Sequence, residues 1–98
     1  MVALGEDMSL HDKQFIAWRL NRGGAVSIGG AILRKEENKD YKSVEPEDLV
    51  LFLTSDGPLQ LYQIKTVVKT NAGLVGYMNY YGDMLHPNAC IPVTQIIV

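Results

Sequence analysis

Leu61-Tyr62-Gln63-Ile64-Lys65-Thr66-Val67-Val68-Lys69-Thr70 is the stretch on which the fold turns. At helical spacing, Leu61, Ile64 and Val68 share a face, with Asp56 as a cap and Pro58 in a first turn. At strand spacing, Tyr62, Ile64, Thr66 and Val68 alternate on one face instead. Tyr62, Ile64, Thr66, Val67, Val68 and Thr70 are also residue types that suit a pleated surface. Their β-branched and aromatic side chains lose χ1 freedom against a helical turn. The strand reading is favoured, and the second half of the chain becomes antiparallel sheet.

Working outward, Asp48 to Thr54 is an apolar strand centred on Val50, Leu51, Phe52 and Leu53. Ser55-Asp56-Gly57-Pro58 and Asn71-Ala72-Gly73 supply turns on either side of the deciding stretch. Leu74 to Tyr81 and Ile91 to Val98 follow as further strands, with Pro92 expected to put the last one at an edge because it has no N–H. Ala25 to Leu33 is uncharged and reads as a strand kinked or bulged at Gly29-Gly30. Arg34 to Glu45 is a solvated loop closed by Pro46.

At the front, Ser9 is placed to cap a helix, and Asp12 stands three residues on. Leu10, Ile16, Ala17 and Leu20 share a face flanked by Phe15 and Trp18, while Gly23-Gly24 supplies the stop. The spacing predicts a helix from Leu10 to Arg22. Residues 1–8 read as a flexible arm and 9–98 as a single α+β domain. Its expected architecture is an N-terminal helix packed on a strongly bent antiparallel sheet of about five strands, a layout that also admits a partly closed barrel.

At 98 residues, the chain has room for one core but not for a spacious catalytic cleft. A formal charge of −2 argues against nucleic acid as a partner, since that affinity comes largely from clustered Lys and Arg. Cys90 is the single cysteine, which excludes an internal disulfide and a cysteine-based zinc site. No leader-like segment and no long apolar run stands in the sequence, so a cytoplasmic protein without membrane contact is expected.

Charge distribution says more than the total. Thr70 to Val98 holds one carboxylate, Asp83, and no Lys or Arg. A sheet with one solvated face alternates apolar with polar residues, so a segment charge-poor on both faces is either covered twice or used as an interface. A short chain has little material for two covers. The expectation is a non-enzymatic interaction module that forms a homodimer or higher homo-oligomer through these strands. Tyr77, Met78, Tyr80, Tyr81 and Met84 are the candidate interface residues, with Trp18 as a further anchor.

The pattern from Asp48 to Ile97 resembles a Tudor-type domain of the small SH3-like barrels. The resemblance rests on the apolar strand Val50 to Leu53, the Ser55-Asp56-Gly57 turn and a strand with Tyr62 near its start. Asn71-Ala72-Gly73, the tyrosine-rich run from Tyr77 to Gly82 and a closing strand from Val93 complete it. Such a resemblance implies an aromatic cage for methylated lysine or arginine, held by cation–π attraction. Tyr62, Tyr77 and Tyr80 match the cage positions, and the alternative function is therefore a small-ligand or methylated-peptide binder. Leu53 stands where the family places a further aromatic residue.

A third expectation is a compact enzyme using His86, with Cys90 four residues on and Asp83 three before. A thiolate activated by imidazole needs those side chains together, and Pro87 argues against the helix that would align them. Asp83 and His86 alone do not make a metal site, and no cofactor is expected. Gly24 to Gly30 has the spacing of a phosphate loop, but Ala31 and Ile32 occupy the positions where Lys and Ser or Thr would act.

Overall fold

A computed structural model of the protein describes residues 9–53 and 59–96. Helix α1 (Leu10–Asn21) is followed by strands β1 (Ala25–Ile28), β2 (Ala31–Lys35), β3 (Leu49–Phe52), β4 (Gln60–Thr70) and β5 (Gly73–Asn79). A two-residue strand β6 (Met84–Leu85), a 3₁₀ turn (Pro87–Ala89) and strand β7 (Cys90–Ile96) end the described chain. The expected 1–8 arm, the Ser55–Pro58 turn and the last two residues lie outside the described residues.

Local chemistry accounts for the helix. Ser9 Oγ accepts from the Asp12 N–H at 3.1 Å, and Gly23 takes φ +84° just past the last turn. Ile16 and Leu20 are buried beneath it together with Lys13. Leu10, expected on the core face, is exposed.

The fold is α+β, and the described residues form seven antiparallel strands, not about five, in the order β1-β2-β7-β3-β4-β5-β6. The described strands do not close into a barrel. Two differences raise the count. Gly29-Gly30 is not a kink within one strand but the turn of a β1–β2 hairpin, with Ile28 opposite Ala31. Both glycines have positive φ (57° and 85°), the backbone that matches a two-residue turn to strand twist. Strand β6 is too short to show an alternation and was invisible in the pattern.

The deciding stretch is strand throughout. Its first part pairs with β3, Leu49 opposite Gln63 to Phe52 opposite Gln60. Its second part pairs with β5, with register shifts after Ile64 and Val68. Such extra residues bend a strand and strengthen its twist, so β4 carries the chain from one half of the sheet to the other.

Two cores result, one on each side of the central strands. Ile16, Leu20, Ile28, Leu33, Leu51, Leu59 and Val93 pack under the helix. Val44, Val50, Ile64, Tyr77, Leu85 and Cys90 form the second cluster. Neighbouring Val50 and Leu51 therefore point into different cores, which is why that run is apolar at every position.

The charge-poor end of the chain has the same cause. Strand β7 is not an edge: it pairs with β2 on one side and β3 on the other. Pro92 is tolerated because its carbonyl, accepting from Glu36 N–H at 3.0 Å, faces the β2 side just past Lys35, where β2 has ended. A residue's N and C=O point the same way in an antiparallel ladder, so the missing donor costs no bond to β3. A chain of this size does cover two faces, one with α1 and one with residues around Val44 and the returning β5–β6 hairpin.

Candidate binding site

Asn79, at the end of β5, is the residue that builds the site. It is fully buried, and its Oδ1 accepts from the N–H groups of Tyr81 (3.0 Å) and Asp83 (2.9 Å). Its own N–H donates to the Asp83 carbonyl at 3.1 Å, and Gly82, at φ +87°, donates back to the Asn79 carbonyl at 3.2 Å. A side-chain amide satisfying two turn donors fixes a tight reversal that would otherwise fray. The turn holds Tyr81 out at 82 % exposure.

Tyr81 does not stand alone. Its ring meets that of Tyr62 edge-on at 6.1 Å, and Tyr62 in turn meets Phe52 at 6.0 Å. Phe52 pairs with Gln60, so Tyr62 is its diagonal neighbour across the β3–β4 ladder. Partial burial, then the charge of nearby Asp83, holds the Tyr62 hydroxyl above its ordinary pKa and therefore neutral. Three rings from three elements thus stand in a continuous line of contacts beside the Asp83 carboxylate.

The tyrosines expected to form a cage separate. Tyr77 is fully buried in the second core, where its hydroxyl donates to the Tyr41 carbonyl at 2.7 Å and accepts from Val44 N–H at 3.4 Å. Burial pushes its pKa up. It belongs to neither a surface pocket nor an interface, because strand alternation turns it inward. Tyr80 donates to the Glu47 carboxylate, a bond that keeps its phenol protonated. Of the expected trio only Tyr62 is at the aromatic corner, and Tyr81 takes the place assigned to Tyr80. Phe52, Asn79 and Asp83 were missed. The Asn-x-Tyr-Gly-Asp run was the available signal, since Asn commonly bonds the backbone two residues ahead.

The remaining candidates divide between two places. Met84 is exposed and pairs with half-buried Met78 across β5–β6. Trp18 stands on the outer face of α1, 52 % exposed, 5.7 Å from the Phe15 ring and with the Arg22 guanidinium 4.5 Å from its centroid. Helix α1 packs against β1 and β2, at the other end of the strand order from β6.

His86 and Cys90 do not form a reactive pair. The Cys90 thiol meets the His86 backbone carbonyl at 3.5 Å rather than the imidazole. Burial pushes that thiol up to about 12, which leaves it protonated near neutral pH. His86 Nδ1 accepts from Asn88 N–H at 3.4 Å. Among the described residues no group of three or more His, Cys, Asp or Glu is arranged to hold a metal ion, and no helix is long and apolar enough to cross a membrane. No family model matches this chain, and no curated protein or solved structure matches it.

Proposed function

We propose that the protein is a small non-enzymatic interaction module that binds a cationic side chain, methylated lysine or arginine, of a partner peptide. The contact surface is Phe52, Tyr62 and Tyr81, with Asp83 supplying the charge. The observation that carries this reading is the presentation of Tyr81, almost fully exposed on a turn pinned by Asn79 yet in ring contact with Tyr62. A methylated cation has a small desolvation cost and gains from each ring face it meets. Kinship with the SH3-like barrels is part of the proposal. It is supported by β4, shared between two halves of the sheet, and by the 3₁₀ turn that leads into a closing strand beside β3.

The test is a calorimetric titration with peptides carrying trimethyllysine, dimethylarginine or the unmodified residue. Methylated peptides are expected to bind more tightly, and Tyr81→Ala to weaken them about 3- to 30-fold, the range of one cation–π contact. Tyr81 is exposed, so the variant keeps its fold. Equal binding of methylated and unmodified peptides, or an indifferent Tyr81→Ala, refutes the reading.

Self-association is a second reading, favoured by exposed Tyr80, Tyr81 and Met84 beside the two-residue edge strand β6. It requires a dimer or higher mass by light scattering that falls to the monomer in Met84→Asp. A monomer at all concentrations removes it.

A further inference from the structure

The opposite end of β5 carries a different surface. Gly73 and Asn79 bound the strand, so this end lies roughly 20 Å from the aromatic corner along an extended chain. Here an open groove of ≈ 550 Å³ runs between the start of β5, the His86–Asn88 segment and the Tyr41-Lys42 pair. Its charge is one-sided. Lys42 and Lys69 reach it from separate segments, with His86 beside them as a donor, and among the described residues no carboxylate lines it. That is unexpected in a chain with 11 acidic residues against 9 Lys and Arg.

Two features give the groove a direction. Strand β6 covers β5 only opposite Tyr77 and Met78, after which the chain turns out of the sheet at His86 into the 3₁₀ turn. The first half of β5 thus has no described strand on that side. Val75 is skipped in the register with β4, where Val68 faces Gly76 and Lys69 faces Leu74, and it is 46 % exposed. An uncovered strand edge is a template for an added extended chain.

The donors are also positioned. Lys42 Nζ lies 5.5 Å from the centroid of the Tyr41 ring. His86 commits Nδ1 to the Asn88 N–H, which leaves Nε2 as the donor. A neutral or cationic occupant would leave the Lys42 and Lys69 ammonium groups without a partner in the groove, whereas an anionic one meets both and also accepts from His86 Nε2–H.

We infer that this groove binds an extended peptide segment bearing anionic side chains. The segment adds to the free edge of β5 in line with β6, and its carboxylates or phosphates meet Lys42, Lys69 and His86. Val75 and Tyr41 provide the apolar contact between those charges. This site is independent of the aromatic corner, and neither proposal depends on the other.

The test is an ¹⁵N-resolved NMR titration of the full chain with three eight-residue peptides: alternating Glu-Val, its Gln-Val counterpart and its phosphoserine-Val counterpart. The expected result is a shift of the amides from Gly73 to Gly76 and from His86 to Asn88. Binding weakens with added salt and weakens in the Gln-Val peptide. Lys42→Ala and Lys69→Ala, both at exposed positions, are each expected to weaken binding about two- to fivefold. Tighter binding of the phosphoserine peptide names phosphate as the anion, and tighter binding of Glu-Val names carboxylate. Equal affinity for Gln-Val, unmoved β5 amides, or shifts confined to Tyr62 and Tyr81 would overturn the inference.

Discussion

Tyr77→Phe isolates a single hydroxyl. The ring stays, so the packing with Val50, Ile64 and Leu85 is unchanged, and only two hydrogen bonds are lost. One is the 2.7 Å bond to the Tyr41 carbonyl, and the other is the 3.4 Å bond from the buried Val44 N–H. Tyr41 is 39 % exposed, so water can replace the first partner at modest cost. Val44 is 4 % exposed, and its N–H would be stranded, although its bond is already long. Together these give a loss of about 1–2 kcal/mol, the lower part of the range for unsatisfied buried groups. Near 0.2 kcal/mol/K for a chain of this length, the midpoint should fall by about 5–10 °C. Thermal unfolding followed by circular dichroism reads the total. Hydrogen exchange at the Val44 amide reads its source, since that N–H should lose protection before the rest of the core. A variant within about 0.3 kcal/mol of the parent, with Val44 still protected, would refute the claim that this hydroxyl ties the segment around Val44 to the core.

Glu47 holds a left-handed backbone, φ +76°, unusual for a side chain of its size. Glu47→Gly should therefore be more stable than Glu47→Ala by about 1 kcal/mol in urea unfolding, since both lose the bond to Tyr80 and only glycine relieves the backbone. Equal stabilities would place the strain elsewhere. Gly76→Ala would put a Cβ 2.8 Å from the Leu85 carbonyl and 3.0 Å from Met84 Sδ, so β6 must move. A cost of about 1–3 kcal/mol is expected, with the Leu85 amide losing protection, and an unshifted Leu85 resonance would show that the approach is looser. Cys90 has a folded pKa raised by burial, from 9.0 to about 12. The unfolded chain releases this proton first, so the contribution is intact below about pH 9. It then falls by about 1.4 kcal/mol per unit as the pH climbs towards the folded value. Cys90→Ala should flatten that part of the alkaline stability profile, and a profile of unchanged slope would rule out the thiol as its source.

The helix and the strand character of the middle were legible in the sequence because they depend on neighbours in the chain. Ser9 and Gly23 bound α1 through bonds and backbone angles that act within a few residues. The alternation of Tyr62, Ile64, Thr66 and Val68 suits one pleated ladder, and the apolar run from Val50 to Leu53 reads as a strand, whose burial on both faces the structure supplies. Which strands lie beside one another was not legible. Gly29-Gly30 suits a bulge as well as a hairpin, and it is the pairing of β1 with β2 that makes it a turn. The lack of charge after Thr70 fits an interface as well as a covered strand, until β7 is seated between β2 and β3. The site shows the same division most sharply. A one-residue change of parity exchanges an inward tyrosine for an outward one, and that parity depends on the register of β5 and on the buried amide of Asn79. Local propensity and period fix what each segment becomes. The choice among partners distant in sequence, and so the meeting of Phe52, Tyr62 and Tyr81, is made by burial and hydrogen bonding in the assembled fold.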